Sequence, residues 1–127
     1  MSSSSSFQEL VGDLRRFFPS ERLINDPLRL LAYGTDASFY RLIPKLVVKL
    51  ETENEVIHLL QALAHYRIPV TFRAAGTSLS GQSVTDSVLG LLAWGWKDCR
   101  IEDEGRTIVL QPGVIGGHAN RMLAAHG

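Results

Sequence analysis

The sequence predicts an α+β fold, a small mixed sheet with one β-α-β unit and flanking helices. Three observations carry this. Segments with apolar residues three and four apart alternate with short runs of branched apolar residues. A capped helix pattern, Thr52 to Tyr66, sits between two such runs in mid-chain. Near the end, two further runs flank a turn at Glu104-Gly105, as in a hairpin.

The elements follow in order. "MSSSSSF" reads as a disordered, Ser-rich lead-in over residues 1–6, with one partial domain over residues 7–127. Leu10, Val11, Leu14, Phe17 and Phe18 give a helix over Phe7 to Phe18, and Pro19 stops it. Asp26-Pro27 is a cap followed by proline at the first helical position, so a short helix runs to about Tyr33 and ends at Gly34. Thr35 to Pro44 is a loop, and Lys45 to Leu50 a short strand. Thr52 and Glu55 form a capping box for the long helix, whose apolar face is Val56, Leu59, Leu60, Leu63 and Ala64. Val70 to Arg73 is a strand, and a right-handed crossover makes it the parallel neighbour of Leu46–Lys49. A small-residue loop, an apolar strand near Val88 to Ala93, the hairpin, and a helix from about Gly116 to Ala125 complete the chain.

Bulk properties exclude several classes. The 127 residues are 45% apolar and 20% charged with a formal net charge of +0, so nothing draws the chain broadly to nucleic acid or an acidic membrane. The longest apolar run, about Val88 to Trp96, is too short for a bilayer, and no signal peptide is visible. Cys99 is the only cysteine, which rules out an internal disulfide and suits a reducing, cytoplasmic setting.

The stretch "RAAGTSLSGQS", Arg73 to Ser83, contains a near-match to the nucleotide-triphosphate loop G-x-x-x-x-G-K-[ST]. Gln82 stands in place of the lysine, and only "VTDS" separates Ser83 from the next strand, which leaves no room for the helix that motif needs. Two readings remain. One is a plain structural turn. The other is a cradle that binds phosphate without breaking it. The loop follows a strand of a β-α-β unit, where ligands gather, and presents Gly76, Thr77, Ser78, Ser80, Gly81, Gln82 and Ser83 in succession. The pyrophosphate of a dinucleotide cofactor fits such a loop.

Several motifs in a fixed order add a resemblance. "P-x-x-V-V" at Pro44, the "E-V" helix start at Glu55, "I-P-V" at Ile68, "R-x-x-G-T-S-L-S-G" at Arg73, "V-L-Q-P-G-V" at Val109 and "N-R-M-L-A-A-H-G" at Asn120 occur together. This resembles the N-terminal FAD-binding subdomain of flavoproteins of the vanillyl-alcohol oxidase and p-cresol methylhydroxylase (PCMH) type. The branch it is most similar to is the FAD-linked D-2-hydroxyacid dehydrogenases: D-lactate dehydrogenase, the glycolate oxidase flavin subunit and D-2-hydroxyglutarate dehydrogenase. The resemblance covers about Phe7 to Gly127.

It implies that Arg73, Ala74, Ala75, Gly76, Thr77, Ser78, Leu79, Ser80, Gly81, Gln82 and Ser83 surround the FAD pyrophosphate, held mainly by backbone amides. Thr77, Ser78 and Ser83 offer hydroxyl contacts, while Pro112, Gly113 and Val114 run along the cofactor's other side. Many relatives have glycines where this chain has Ala74 and Ala75, which puts the loop path in question. Thr77 stands where some relatives attach FAD to a histidine, which implies noncovalent binding. The parent reaction implied is loss of the α-hydrogen of a D-2-hydroxyacid to flavin N5. The family continues with a second FAD subdomain and a substrate domain, so the chain reads as a truncated product or an excised piece that lacks catalytic residues of its own. Whether it retains FAD alone is left open, and the full-length parent is either cytoplasmic or membrane-associated. The alternative is a cofactor-free interaction or scaffold module that self-associates through apolar surface left exposed.

The remaining chemistry-bearing residues read blandly. His58 and His65 are seven apart, and His118, His126 and Cys99 form no ligand cluster, so no metal is expected. Trp94 and Trp96 are read as packing residues rather than adenine stackers, and Cys99 as an inert buried thiol. Arg73 is read as balancing phosphate charge or as a surface ion pair. Asp36 and Tyr40 are given structural roles.

Overall fold

A computed structural model describes residues 3–92 and 94–127. The first helix, α1, spans Ser3–Phe17. Ser3 to Ser6 form its first turn, where the sequence predicts a disordered lead-in; Met1 and Ser2 lie outside the described residues. Docking of Leu10, Val11 and Leu14 supplies the costly nucleus, and extension into the serines is then cheap. A 3₁₀ turn at Ser20–Arg22 leads into β1, Leu23–Ile24, a strand the sequence reading did not predict. Helix α2, Pro27–Ala32, starts as predicted, with the Asp26 side chain accepting from Arg29 N–H at 3.0 Å.

Strand β2 is Leu46–Lys49, helix α3 is Glu53–Tyr66, and β3 is Val70–Arg73. Strand β4 is Val88–Leu91; Ala93, at the end of the predicted strand, lies outside the described residues. Thr52 caps α3 by accepting from Glu55 N–H at 3.2 Å. The return half of the box is displaced by one residue, because the Glu55 carboxylate takes the Glu51 N–H at 2.7 Å. It also meets Arg22, at 2.8 and 2.9 Å, and so ties the start of α3 to the turn before β1.

The sheet order is β1-β2-β4-β3. The parallel pairing expected between β2 and β3 does not occur. Both run parallel to β4, which lies between them: Val88 pairs with Leu46 on one side and Val70 on the other. All four β4 residues are buried, whereas β3 is only partly covered. The most apolar strand therefore occupies the centre, where both edges and both faces are covered.

Helices α1 and α3 cover one face of this sheet, with Leu10, Leu14, Leu46, Val48, Leu59 and Val88 in the core. On the other face Ile24, Val47, Leu89 and Leu91 pack with Leu30 of α2. Strands β5, Cys99–Glu102, and β6, Thr107–Leu110, form the predicted hairpin as a separate two-stranded sheet. Helix α4, Gly116–Leu123, follows and continues as a 3₁₀ turn. Among the described residues, no helix is long and apolar enough to cross a membrane.

Candidate functional site

The parallel strands β2, β4 and β3 end on the same edge of the sheet, at Lys49, Leu91 and Arg73. Ligands of open α/β sheets gather outside such strand ends. The predicted loop leaves β3 here. No helix follows it before β4, which removes the triphosphate-loop reading on geometry as well as on the missing lysine.

Gly76 and Gly81 have φ of +69° and +74°, the left-handed region that glycine enters without strain. Ala74 and Ala75 both have ordinary negative φ, so alanine is accommodated where relatives carry glycine. A Cβ on Gly76 would lie 2.4 Å from Arg73 Nη2, and one on Gly81 would lie 2.7 Å from Tyr40 Cδ2. The loop thus folds against its own neighbours at both glycines.

Ser78 organises the interior. Its Oγ accepts from Ser80 N–H and Gln82 N–H, each at 3.2 Å, and donates to Gln82 Oε1. Ser83 is buried, and its Oγ donates to Asp36 Oδ2 at 2.9 Å. These two hydroxyls are engaged by the chain itself. Thr77 and Leu79 are exposed. Among the described residues, no acceptor engages the N–H groups of Gly76, Thr77, Ser78, Leu79 or Gly81. Five unengaged amide donors from Gly76 to Gly81, with no acidic residue between Arg73 and Ser83, are chemistry suited to an anion.

Arg73 lies beside this run. Its Nη1 and Nη2 donate to the carbonyls of Tyr33, at 3.1 Å, and Thr35, at 2.6 Å. It makes no ion pair among the described residues, so the surface-pair reading does not hold. The guanidinium sits next to Gly76 and braces the 33–35 segment. Asp36 is a hub: Oδ1 accepts from Ser38 N–H at 2.8 Å and from Ser38 Oγ, and Oδ2 from Ser83. The Ser38 hydroxyl above all, with the Ser38 N–H and Ser83, holds this carboxyl down at about 2.

The second predicted stretch reaches the same edge of the sheet by another route. Gly113 N–H donates to Trp96 O at 2.7 Å, and buried Trp96 donates from Nε1 to Leu50 O, just past β2, at 2.8 Å. Gly113 and Val114 border a cavity of about 300 Å³ whose walls include Lys97, Ile115, His118 and Arg121. A separate cavity of about 310 Å³, lined by Val56, Ile57, Phe72, Leu92 and Trp96 with Glu53, is almost wholly apolar and lies on the α3 side. It offers few donors for an anion. Trp96 packs as expected, while Trp94 is exposed. His58 stacks on Phe17 with ring centroids 3.7 Å apart. Cys99 is half-buried against Met122. No cluster of metal-ligating side chains is found among the described residues.

Comparisons with known proteins bear on the family and the fold. The family described as "FAD binding domain" matches residues 44–127. The chain is 31% identical over 116 residues to the glycolate oxidase subunit GlcD of Escherichia coli strain K12, covering 89% of this chain and 23% of that protein. It therefore spans about a quarter of the length of the curated relatives it matches. Two solved structures share the fold. Alkyldihydroxyacetonephosphate synthase aligns with a TM-score of 0.70 at 19% identity, over 94% of this chain and 26% of the other. p-Cresol methylhydroxylase with substrate bound aligns at 0.68 and 14% identity, over 95% and 25%.

Proposed function

The chain belongs to the FAD binding domain family, and from that premise we propose that it is the diphosphate-holding part of a flavin-dependent oxidoreductase acting on a D-2-hydroxyacid. The observation that carries this reading is the run of unengaged amides between Gly76 and Gly81 at the C-terminal edge of the parallel strands. The diphosphate oxygens take those N–H groups, and the adjacent Arg73 guanidinium offsets their charge without direct contact. Thr77 is exposed in the loop and offers a free hydroxyl. A threonine cannot form the histidyl–flavin bond, so the cofactor is held noncovalently. Pro112 to Val114 lie along its other side.

When bound, the flavin supplies the acceptor for the substrate's hydride. The residues that bind the hydroxyacid and take its hydroxyl proton belong, on this reading, to segments present in the longer relatives and outside this chain. GlcD, a glycolate oxidase subunit, supports a 2-hydroxyacid as substrate. The lone thiol Cys99 suits a reducing, cytoplasmic setting.

The test is a titration of the purified protein with FAD, followed by flavin fluorescence and calorimetry. Saturable binding is expected, and Gly76→Val is expected to abolish it, because a branched side chain would strain φ and strike the Arg73 guanidinium. Binding left intact by Gly76→Val would remove the loop from the cofactor site.

A further inference from the structure

The loop is not held by its own residues alone. One segment, Tyr33 to Tyr40, touches it at four points. Arg73 donates to the carbonyls of Tyr33 and Thr35 at the loop's entry. Ala37 N–H donates to Gly76 O at 3.2 Å. The Tyr40 ring lies against Gly81. Ser83, at the exit, donates to Asp36. The segment is itself closed by a bridge between Thr35 and Arg41 and by the Asp36–Ser38 turn.

The geometry points to Asp36 as a positioning residue for the diphosphate loop: it fixes the loop's exit and so the aim of the amides, without touching the cofactor. The inference rests on the FAD reading proposed above. A carboxylate is an unsuitable direct contact for a diphosphate, since like charges repel. Here its acceptor capacity is used on three donors of the chain itself, Ser38 N–H, Ser38 Oγ and Ser83 Oγ. Bonds to a charged acceptor are the strong ones, and they anchor a buried hydroxyl two residues beyond Gly81, the end of the amide run. Loss of the carboxylate would release the exit of the loop while its entry stayed clamped by Arg73.

The experiment compares Asp36→Ala, Asp36→Asn, Ser83→Ala and the double variant Asp36→Ala/Ser83→Ala with the parent chain. Three quantities are read: amide hydrogen exchange at Ala37, Ser80 and Gln82 without FAD, FAD affinity by fluorescence titration, and the thermal midpoint. Asp36→Ala and Ser83→Ala should each speed exchange at those amides and weaken FAD binding by about tenfold or more, the scale of a lost charged hydrogen bond. The double variant should be no weaker than Asp36→Ala alone, because the contact that Ser83→Ala removes is already lost with the carboxylate. Asp36→Asn should fall between, since its amide oxygen still accepts from Ser38. Ser83→Ala deletes only one hydroxyl and keeps the test available if Asp36→Ala does not fold. Unchanged loop exchange and affinity in Asp36→Ala would overturn the inference. So would additive effects in the double variant, or exchange that rises equally in α1 and α3. If the parent chain takes up no FAD, the proposed function fails for this chain, and exchange at the three amides still decides whether Asp36 holds the loop.

Discussion

Gly113→Ala should destabilise the protein although Gly113 has no unusual backbone angle. The reason is proximity. A Cβ there would sit 2.5 Å from Trp96 O and 3.1 Å from Trp96 C, both backbone atoms. Comfortable nonbonded separations begin at about 3.5 Å, so the two segments must part by about 1 Å. Gly113 N–H already bonds that same carbonyl at 2.7 Å, and parting by this amount takes the bond past its useful length. One lost hydrogen bond costs about 1 kcal/mol, and overpacking a close contact costs about 1–3 kcal/mol, which gives about 2–4 kcal/mol together. Gly117→Ala supplies the internal contrast. Its Cβ would meet only Arg121 Nη1, at 3.9 Å, inside helix α4, so alanine should gain up to about 1 kcal/mol. The same chemical change, four positions apart, should thus have opposite signs. Urea unfolding followed by tryptophan fluorescence measures both, since Trp96 is buried in the fold. Equal stability of Gly113→Ala and the parent would refute the close-approach argument.

Two further outcomes are expected. Leu59, fully buried between α3 and the sheet, should lose about 2–5 kcal/mol on truncation to alanine, measured by the same unfolding curves. Acid should weaken the fold through Glu55 first and Asp36 later. Burial alone pushes Glu55 up, but the Arg22 hydrogen bonds and the Glu51 N–H outweigh it and hold it below 4.5. A depressed carboxyl contributes stability that is full above its unfolded value and is lost as pH falls through its folded one. The loss should therefore begin below about pH 4.5 and continue toward pH 2 as Asp36 protonates. Glu55→Gln should flatten the upper part of that decline; an unchanged pH profile would remove the Arg22–Glu55 pair from it.

Local signals carried most of the fold. Asp26-Pro27 and Thr52 mark helix starts because capping is a contact between near neighbours in sequence. The hairpin turn is legible for the same reason. Strand β1 was missed because two residues, Leu23 and Ile24, carry no period. The order of strands was misread because adjacency in sequence does not fix pairing. The signal that was present was the unbroken apolar run of β4, which marks a strand covered on both faces. At the site, Gly76 and Gly81 stand out in the sequence. The Asp36–Ser83 contact does not, because it joins residues 47 apart, and the Asp-x-Ser turn at Asp36 shows only its local half. The sequence reads Arg73 as balancing phosphate charge or as a surface ion pair, while the structure uses its donors on backbone carbonyls.

The central place of β4 has a consequence for the order of assembly on the ribosome. Strands β2 and β3 are made first, yet each pairs with β4, which emerges last of the three. Until Leu91 has left the exit tunnel, β2 and β3 have no partner between them, and their facing edges stay open to other chains. Helix α3 can form early from local contacts, but the sheet cannot close until Val88–Leu91 enters between β2 and β3. The segment from Ala74 to Ser87 is the tether that delivers this strand.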